Sequence, residues 1–179
     1  MNLANSLTAL RILLTPLSVL FLFWRVPNQT LIAAGFFVLA ALTDGLDGWA
    51  ARVRKETTQF GKSFDPFADK VLISTALISL AKLGWVAWWM VWAIIGRELL
   101  VTVLRQFAGA RGQATAASWL GKSKTMSQIM AVTAIILWPS SAGWLLWIAL
   151  FLSLASGVDY LVRWRVVFHR APSTPSLPG

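Results

Sequence analysis

Apolar segments about as long as a bilayer is thick make up most of this chain, and they leave few folds open to it. Hydrophobic residues account for 57% of the 179 residues, and the mean hydropathy is +0.66. A helix needs roughly 20 apolar residues to cross a bilayer, and in lipid its backbone must satisfy its own hydrogen bonds. The pattern predicts six such spans, at about 7–24, 30–54, 61–83, 86–110, 116–139 and 143–166. We therefore expect an all-α, polytopic integral membrane protein, a six-transmembrane-helix bundle.

Short polar breaks separate the spans and show no second domain. The clearest are Pro27-Asn28, Lys82-Leu83-Gly84 and the turn from Pro139 to Gly143. We expect one transmembrane domain over residues 1–170, followed by a disordered Pro/Ser-rich tail over 171–179. The chain has no cysteine, which excludes disulfide and thiolate chemistry.

The charge indicates a membrane surface rather than a nucleic acid as partner. The net charge is +9, from 16 Lys+Arg against 7 Asp+Glu, and the basic residues lie between apolar spans. Anionic lipid attracts such segments, and basic residues collect on the cytoplasmic side of a membrane protein. With both termini cytoplasmic, every Lys and Arg except Arg25 and Lys82 falls at the inner side. This asymmetry predicts a multi-pass protein whose polar active-site cavity faces the cytoplasm.

Four aspartates within two neighbouring apolar spans are the strongest functional signal. Asp44 and Asp47 are three residues apart, and Asp65 and Asp69 are four apart, so each pair shares one helix face. A short polar turn joins the two helices, which brings the pairs together at similar depth. Four carboxylates repel each other unless a cation lies among them, and oxygen ligands suit Mg²⁺ or Mn²⁺ rather than zinc. The alternative is a set of intramembrane salt bridges to nearby cations, namely Arg52, Lys62, Lys70 or Arg97.

Small residues accompany the aspartates. Gly45, Gly48 and Gly61 leave the helix faces beside the carboxylates bare. Such residues let helices pack closely in lipid. They also leave room for a bulky ligand, such as a nucleotide, against the backbone, and the two interpretations are compatible.

The acidic pattern resembles the signature of the CDP-alcohol phosphatidyltransferases. Asp44-x-x-Asp47-Gly48-x-x-Ala51-Arg52 is followed, after eight residues, by Gly61-x-x-x-Asp65-x-x-x-Asp69, and every defined position is filled. The resemblance implies that the four aspartates hold one or two divalent metal ions, which bind the pyrophosphate of a CDP-linked lipid. It implies Asp69 as the general base, and it places Gly48, Arg52 and Gly61 in the cytidine-nucleotide site.

Further segments resemble the members of that family that use glycerophosphate. They are 5–11, 65–70, 96–98 and 121–125, so the resemblance covers most of residues 2–135. It implies transfer of a phosphatidyl group from CDP-diacylglycerol to the C1 hydroxyl of sn-glycerol 3-phosphate, giving phosphatidylglycerophosphate and CMP. It also implies a homodimer in the cytoplasmic membrane of a bacterium.

An acceptor that carries a phosphate dianion needs cations in its pocket. Arginine binds phosphate through two parallel hydrogen bonds, and lysine binds it as a point charge. The candidates lie on the fourth and fifth spans and their connection, namely Arg97, Arg105, Arg111, Lys122 and Lys124. For Arg111 a solvated cytoplasmic loop is equally compatible, and Arg97 is equally suited to a structural pair with Glu98.

Other residues are assigned no chemistry. We interpret Met126 and Met130 as packing residues, and Asp159 and Tyr160 as partners of Arg163 across a helical turn.

Three other functions are compatible with parts of the pattern. Within the same family the acceptor could be an inositol phosphate, serine or phosphatidylglycerol. An ion or proton transporter could use the aspartates as a relay, but it needs polar steps toward the outer face, where the spans are almost entirely apolar. A membrane scaffold without activity does not require four aspartates with Gly48 and Arg52.

Overall fold

The computed structural model describes the backbone of residues 3–54, 59–110 and 119–169. Side chains are described over 6–7, 9–43, 70–109 and 119–163. Within these ranges the chain forms six α-helices and no strand, which confirms the all-α prediction. The helices are α1 Leu3–Phe23, α2 Gln29–Arg54, α3 Gln59–Lys82, α4 Trp88–Ala110, α5 Trp119–Leu137 and α6 Gly143–His169.

The six helices correspond to the six predicted spans. Their ends differ from the predicted ones by about four residues or fewer, which is ordinary for boundaries read from a sequence. The predicted start of the fifth span, near 116, and the predicted disordered tail over 171–179 lie outside the described residues. The three described connections, at 24–28, 83–87 and 138–142, coincide with the polar breaks. Asn28 and Gly84 adopt positive φ of 57° and 75° at two of these turns.

One helical segment of the described chain is both long and apolar enough to cross a membrane. It is Gly143–Arg163 in α6, with a mean hydropathy of 1.9, and shorter apolar segments cover Ala9–Phe23 and Gln29–Thr43. The charged and polar residues within α2 to α5 lower the hydropathy of those helices. The helices are still 19 to 27 residues long, which is enough to cross a bilayer, where about 20 residues are needed and tilted helices are longer.

Two hydrogen bonds from side chains fix how α1 and α2 are aligned along each other. Ser18 Oγ donates to the carbonyl oxygen of Ala33 at 3.0 Å, and Arg11 Nε donates to Thr43 Oγ1 at 3.3 Å. Residue numbers rise on one helix as they fall on the other, so the two helices are antiparallel. Thr43 directly precedes Asp44, and the contact from Arg11 therefore ties α1 to the part of α2 that carries the acidic signature.

Contacts between α4 and α6 show that these two helices run in the same direction. The rings of Trp89 and Trp147 lie 5.4 Å apart, and Arg97 Nη2 donates to Ser156 Oγ at 2.5 Å. Residue numbers therefore rise together along both helices. Parallel α4 and α6, with α5 connecting them in sequence, are what an alternating up-and-down bundle requires.

Large apolar side chains divide between the interior and the outer surface of the bundle. The fully buried set includes Phe37, Leu72, Leu77, Leu80, Ile94, Ile135, Ile136 and Leu146. Others point outward, and Trp119 is 84% and Phe151 72% exposed. The interpretation of Met126 and Met130 as packing residues is wrong, because both lie on the exposed face of α5. An apolar outer surface is the expected face of a protein in lipid, where helix contacts depend on close packing rather than on expulsion of water.

Candidate functional site

The acidic signature lies on the two helices that meet at the α2–α3 connection. Asp44 and Asp47 belong to α2, and Asp65 and Asp69 belong to α3. Asp44 lies about ten residues before the end of α2, and Asp69 about ten residues after the start of α3. At 1.5 Å per residue both are about 15 Å along their helices from the connection, which agrees with the predicted equal depth.

The side chains of the signature lie outside those the structure describes. This holds for the four aspartates and equally for the predicted nucleotide residues Gly48, Arg52 and Gly61. Where side chains are described, no group of three or more His, Cys, Asp or Glu lies close enough to hold a metal ion. The predicted metal, nucleotide and base assignments therefore stay predictions.

A buried ion cluster around Glu98 is the most polar feature of the described interior. Glu98 Oε1 accepts a hydrogen bond from Arg97 Nη1 at 2.9 Å and another from Lys124 Nζ. The three side chains are only 16%, 8% and 11% exposed, in the order Glu98, Arg97, Lys124. Charges so far from water are stable only when they are paired, so the shared carboxylate stabilises both cations. Glu98 therefore pairs with Arg97, which is the structural pair that the sequence left open.

Arg97 is also held from the side of α6. Besides its bond to Ser156, its side chain packs on Gly157, where a Cβ atom would lie 3.0 Å from Nε and 3.2 Å from Cγ. Such distances are shorter than ordinary van der Waals contact, so a side chain at this position would displace the guanidinium. The small residue on α6 thus makes room for the arginine on α4.

A cleft opens between α3, α4 and α5 at the ion cluster. Its lining residues are Lys70, Ile73, Ser74, Ile94, Ile95, Glu98, Lys124, Thr125 and Gln128. The enclosed part measures about 10 Å³, which is room for about one water molecule. Lys70 directly follows Asp69 in the sequence, so the cleft adjoins the acidic signature on α3.

The predicted acceptor cations do not gather at one point. Lys124 lines the cleft, and Arg97 is buried behind Glu98. Arg105 and Lys122 are exposed near helix ends, and Arg111 lies outside the described residues. The Arg105 guanidinium lies over the ring of Tyr160 at 5.6 Å from its centroid, the geometry of a cation–π interaction.

Contacts on α6 extend the site beyond the predicted residues. The predicted pairing of Asp159 with Arg163 is confirmed at 2.9 Å. Tyr160, Ser156 and Gly157 contact arginines of α4, a role that sequence reasoning did not assign. Small residues within an apolar helix generally indicate that another helix packs closely there. The small side chains of Ser156 and Gly157 could therefore have predicted this contact from the sequence.

Gln128 is a polar lining residue of the cleft that sequence reasoning did not single out. It lies four residues after Lys124 and therefore on the same face of α5. A polar side chain on the same helix face as a predicted acceptor-binding lysine was the available signal.

A family model described as CDP-alcohol phosphatidyltransferase matches residues 1–155. This chain belongs to the CDP-alcohol phosphatidyltransferase family. The resemblance inferred from the aspartate signature is confirmed, and so is the prediction that the chain is a transferase. Enzymes of this family generally depend on a divalent metal ion. The match ends one residue before Ser156, so the α6 contacts to Arg97 and Arg105 lie beyond it.

Several curated bacterial proteins are similar over nearly the whole chain. CDP-diacylglycerol–glycerol-3-phosphate 3-phosphatidyltransferase of Bacillus subtilis is 38% identical over 183 residues, covering 90% of this chain and 94% of that protein. A probable phosphatidylglycerophosphate synthase of Mycobacterium tuberculosis is 41% identical over 170 residues, covering 90% and 81%. The Rickettsia typhi enzyme named like that of B. subtilis is 35% identical over 176 residues, covering 93% and 99%.

Proposed function

We propose that this protein transfers a phosphatidyl group from CDP-diacylglycerol to the C1 hydroxyl of sn-glycerol 3-phosphate, giving phosphatidylglycerophosphate and CMP. The observation that carries the choice of acceptor is the cleft lined by Lys70 and Lys124 next to Asp69. Two lysines suit the phosphate dianion of the acceptor. Similar proteins of B. subtilis and R. typhi are named for this reaction.

The acidic signature is proposed to hold the divalent metal, as one or two Mg²⁺ or Mn²⁺ ions. Asp44, Asp47, Asp65 and Asp69 supply only oxygen ligands, which these ions prefer. Their positions along α2 and α3, each about ten residues from the connection, fit a shared site. A bound metal offsets the negative charge of the pyrophosphate and of the departing CMP.

The nucleotide and the base are assigned to the same two helices. Gly48, Arg52 and Gly61 are proposed to bind the cytidine nucleotide, with the acyl chains in lipid. Asp69 accepts the proton of the acceptor's C1 hydroxyl. The hydroxyl oxygen then forms a bond to the phosphorus attached to diacylglycerol, and the bond from that phosphorus to CMP breaks, with its electron pair leaving on CMP.

The acceptor phosphate is proposed to lie at the mouth of the cleft. Lys124 and Lys70 face it directly. Arg97 shares the carboxylate of Glu98 with Lys124. The exposed Arg105 and Lys122, together with Arg111, are proposed to attract the anionic acceptor from solution.

We place the protein in a bacterial cytoplasmic membrane as a six-span bundle with both termini and the cleft on the cytoplasmic side. The helix lengths, the parallel α4 and α6 and the distribution of basic residues support this topology. Soluble glycerol 3-phosphate reaches the buried charges through the open cleft. The resemblance to the family supports a homodimer.

Acceptor competition tests the proposed reaction. Purified protein in detergent receives CDP-diacylglycerol and Mg²⁺, and CMP release is followed with glycerol 3-phosphate, inositol 1-phosphate, serine or phosphatidylglycerol offered separately. We expect release with glycerol 3-phosphate alone and its loss in EDTA. Release with another acceptor would keep the family reaction and reject the assigned acceptor. No release from folded protein with any acceptor would reject the reaction.

The base is tested by Asp69→Asn. General-base catalysis contributes roughly 10²- to 10⁴-fold, so we expect turnover to fall by about 100-fold or more. Asp159→Asn on α6, which removes a partly exposed pair with Arg163, is the matched control and is expected to stay within about twofold of the unchanged protein. Near-normal turnover of the Asp69 variant would remove this residue from the role of base.

A further inference from the structure

Gln128 is a buried amide without a visible reason to be polar. Its side chain is 2% exposed, and Nε2 has no hydrogen-bond partner among the described residues. An unsatisfied buried donor costs free energy, and native proteins keep few of them without a functional reason. The residue also lines the cleft beside Lys124. The cleft is therefore where a partner for this donor would bind.

The lining of the cleft divides into a level with charged side chains, here called the mouth, and a nearly neutral level beside Gln128, here called the floor. Lys70, Glu98 and Lys124 form one level on α3, α4 and α5. Gln128 lies one helical turn, about 5 Å, farther from the start of α5. Ile73 lies three residues after Lys70 on α3, and Ile94 lies four residues before Glu98 on α4. Each is about one helical turn from the charged residue of its own helix, so the amide shares the cleft with apolar side chains.

The floor fits a hydroxyl group better than a phosphate. The enclosed part of the whole cleft, about 10 Å³, takes a group the size of one water molecule. A phosphate dianion among Ile73 and Ile94 would lose its hydration without gaining a cation, whereas a hydroxyl loses little and gains the amide donor. Both lysines lie at the mouth, where the phosphate belongs.

We propose that Gln128 selects the acceptor by donating a hydrogen bond from Nε2 to the C2 hydroxyl of glycerol 3-phosphate. This inference rests on the proposed function and adds to it the residue that recognises the polyol. The phosphate lies at the level of Lys70 and Lys124, and the C2 hydroxyl enters the floor. The amide thereby fixes which way the glycerol backbone faces Asp69.

A cycle that removes the amide, the hydroxyl or both tests the contact. The enzyme is compared with Gln128→Met, a substitution of similar length that lacks the amide. Each is assayed with glycerol 3-phosphate and with 3-hydroxypropyl phosphate, which lacks the C2 hydroxyl. For the unchanged enzyme we expect kcat/KM to be about tenfold or more lower with the analogue, because the amide stays unpaired. For Gln128→Met we expect a similar loss with glycerol 3-phosphate and nearly equal kcat/KM for the two acceptors.

Two further measurements separate recognition from a structural role. The KM for CDP-diacylglycerol should change less than twofold in Gln128→Met. The unfolding midpoint without acceptor should not fall, because the substitution removes an unsatisfied donor. Gln29→Met, at the first residue of α2, is the matched control and should leave discrimination between the two acceptors unchanged.

The possible failures are distinguishable. An equal loss of kcat/KM for both acceptors in Gln128→Met would reject the hydroxyl contact. A lowered unfolding midpoint together with raised KM for both substrates would show a structural role and would also overturn the inference. Absence of CMP release with glycerol 3-phosphate from the unchanged enzyme would instead reject the proposed function.

Discussion

Glu98 is expected to be the residue on which the stability of the cleft most depends. Its carboxylate is the shared partner of Arg97 and Lys124, both of them nearly buried. Glu98→Gln keeps the shape of the side chain and one acceptor oxygen, but it removes the negative charge. The two cations then face each other around a neutral amide, so the folded state loses stability.

The magnitude follows from the burial of the cluster. Removing one partner of a buried ion pair typically costs about 3–5 kcal/mol, whereas an exposed pair contributes about 1 kcal/mol or less. Because the amide oxygen can still accept one hydrogen bond, we expect Glu98→Gln to lower the free energy of unfolding by about 3 kcal/mol. That is roughly a 150-fold change in the ratio of folded to unfolded protein.

Unfolding by SDS in mixed micelles, followed by tryptophan fluorescence, measures this change. In a double-mutant cycle, Glu98→Gln combined with Lys124→Met should cost less than the sum of the two single changes by about 1–3 kcal/mol, since both substitutions remove the same ion pair. Asp159→Asn, which breaks a more exposed pair, should cost about 1 kcal/mol or less. A cost below about 1 kcal/mol for Glu98→Gln, or additive effects in the cycle, would refute the argument that the carboxylate holds both cations.

Two substitutions test the contacts from α6. Gly157→Ala places a Cβ 3.0 Å from Arg97 Nε and should lower the SDS unfolding midpoint, although alanine is the better helix former. Gly35→Ala is the control, because a Cβ there has nothing within 4 Å. It should leave the midpoint unchanged or raise it by the equivalent of up to about 1 kcal/mol. An unchanged midpoint in Gly157→Ala would show that the arginine adjusts freely. Tyr160→Leu removes the ring beneath Arg105 and should raise the KM for glycerol 3-phosphate severalfold, whereas Tyr160→Phe, which keeps the ring face, should not. Equal KM values for the two Tyr160 variants would exclude the cation–π contact from acceptor binding.

Helix number, helix ends and family could be predicted from the sequence because each depends on local or linear information. Apolar runs mark the spans, and Pro139 and Gly84 mark turns between them, whatever the tertiary arrangement of the helices. The aspartate spacing is itself the family signature. The predicted metal, base and nucleotide residues stay predictions, since their side chains lie outside those described. The prediction for Met126 failed because a strongly apolar chain exposes large side chains to lipid, so hydrophobicity does not distinguish the inner face of such a helix from the outer one.

The sequence by itself determined that this chain is helical, suited to a membrane, and a CDP-alcohol phosphatidyltransferase with four aspartates at fixed spacing. Only the tertiary structure decided how the cations are used. Arg97 and Lys124 are 27 residues apart along the chain, yet they share Glu98, and Ser156 and Gly157 reach Arg97 from another helix. Such partners depend on which helix faces meet and at what depth. That is a property of the packed bundle, and no local pattern in the sequence specifies it.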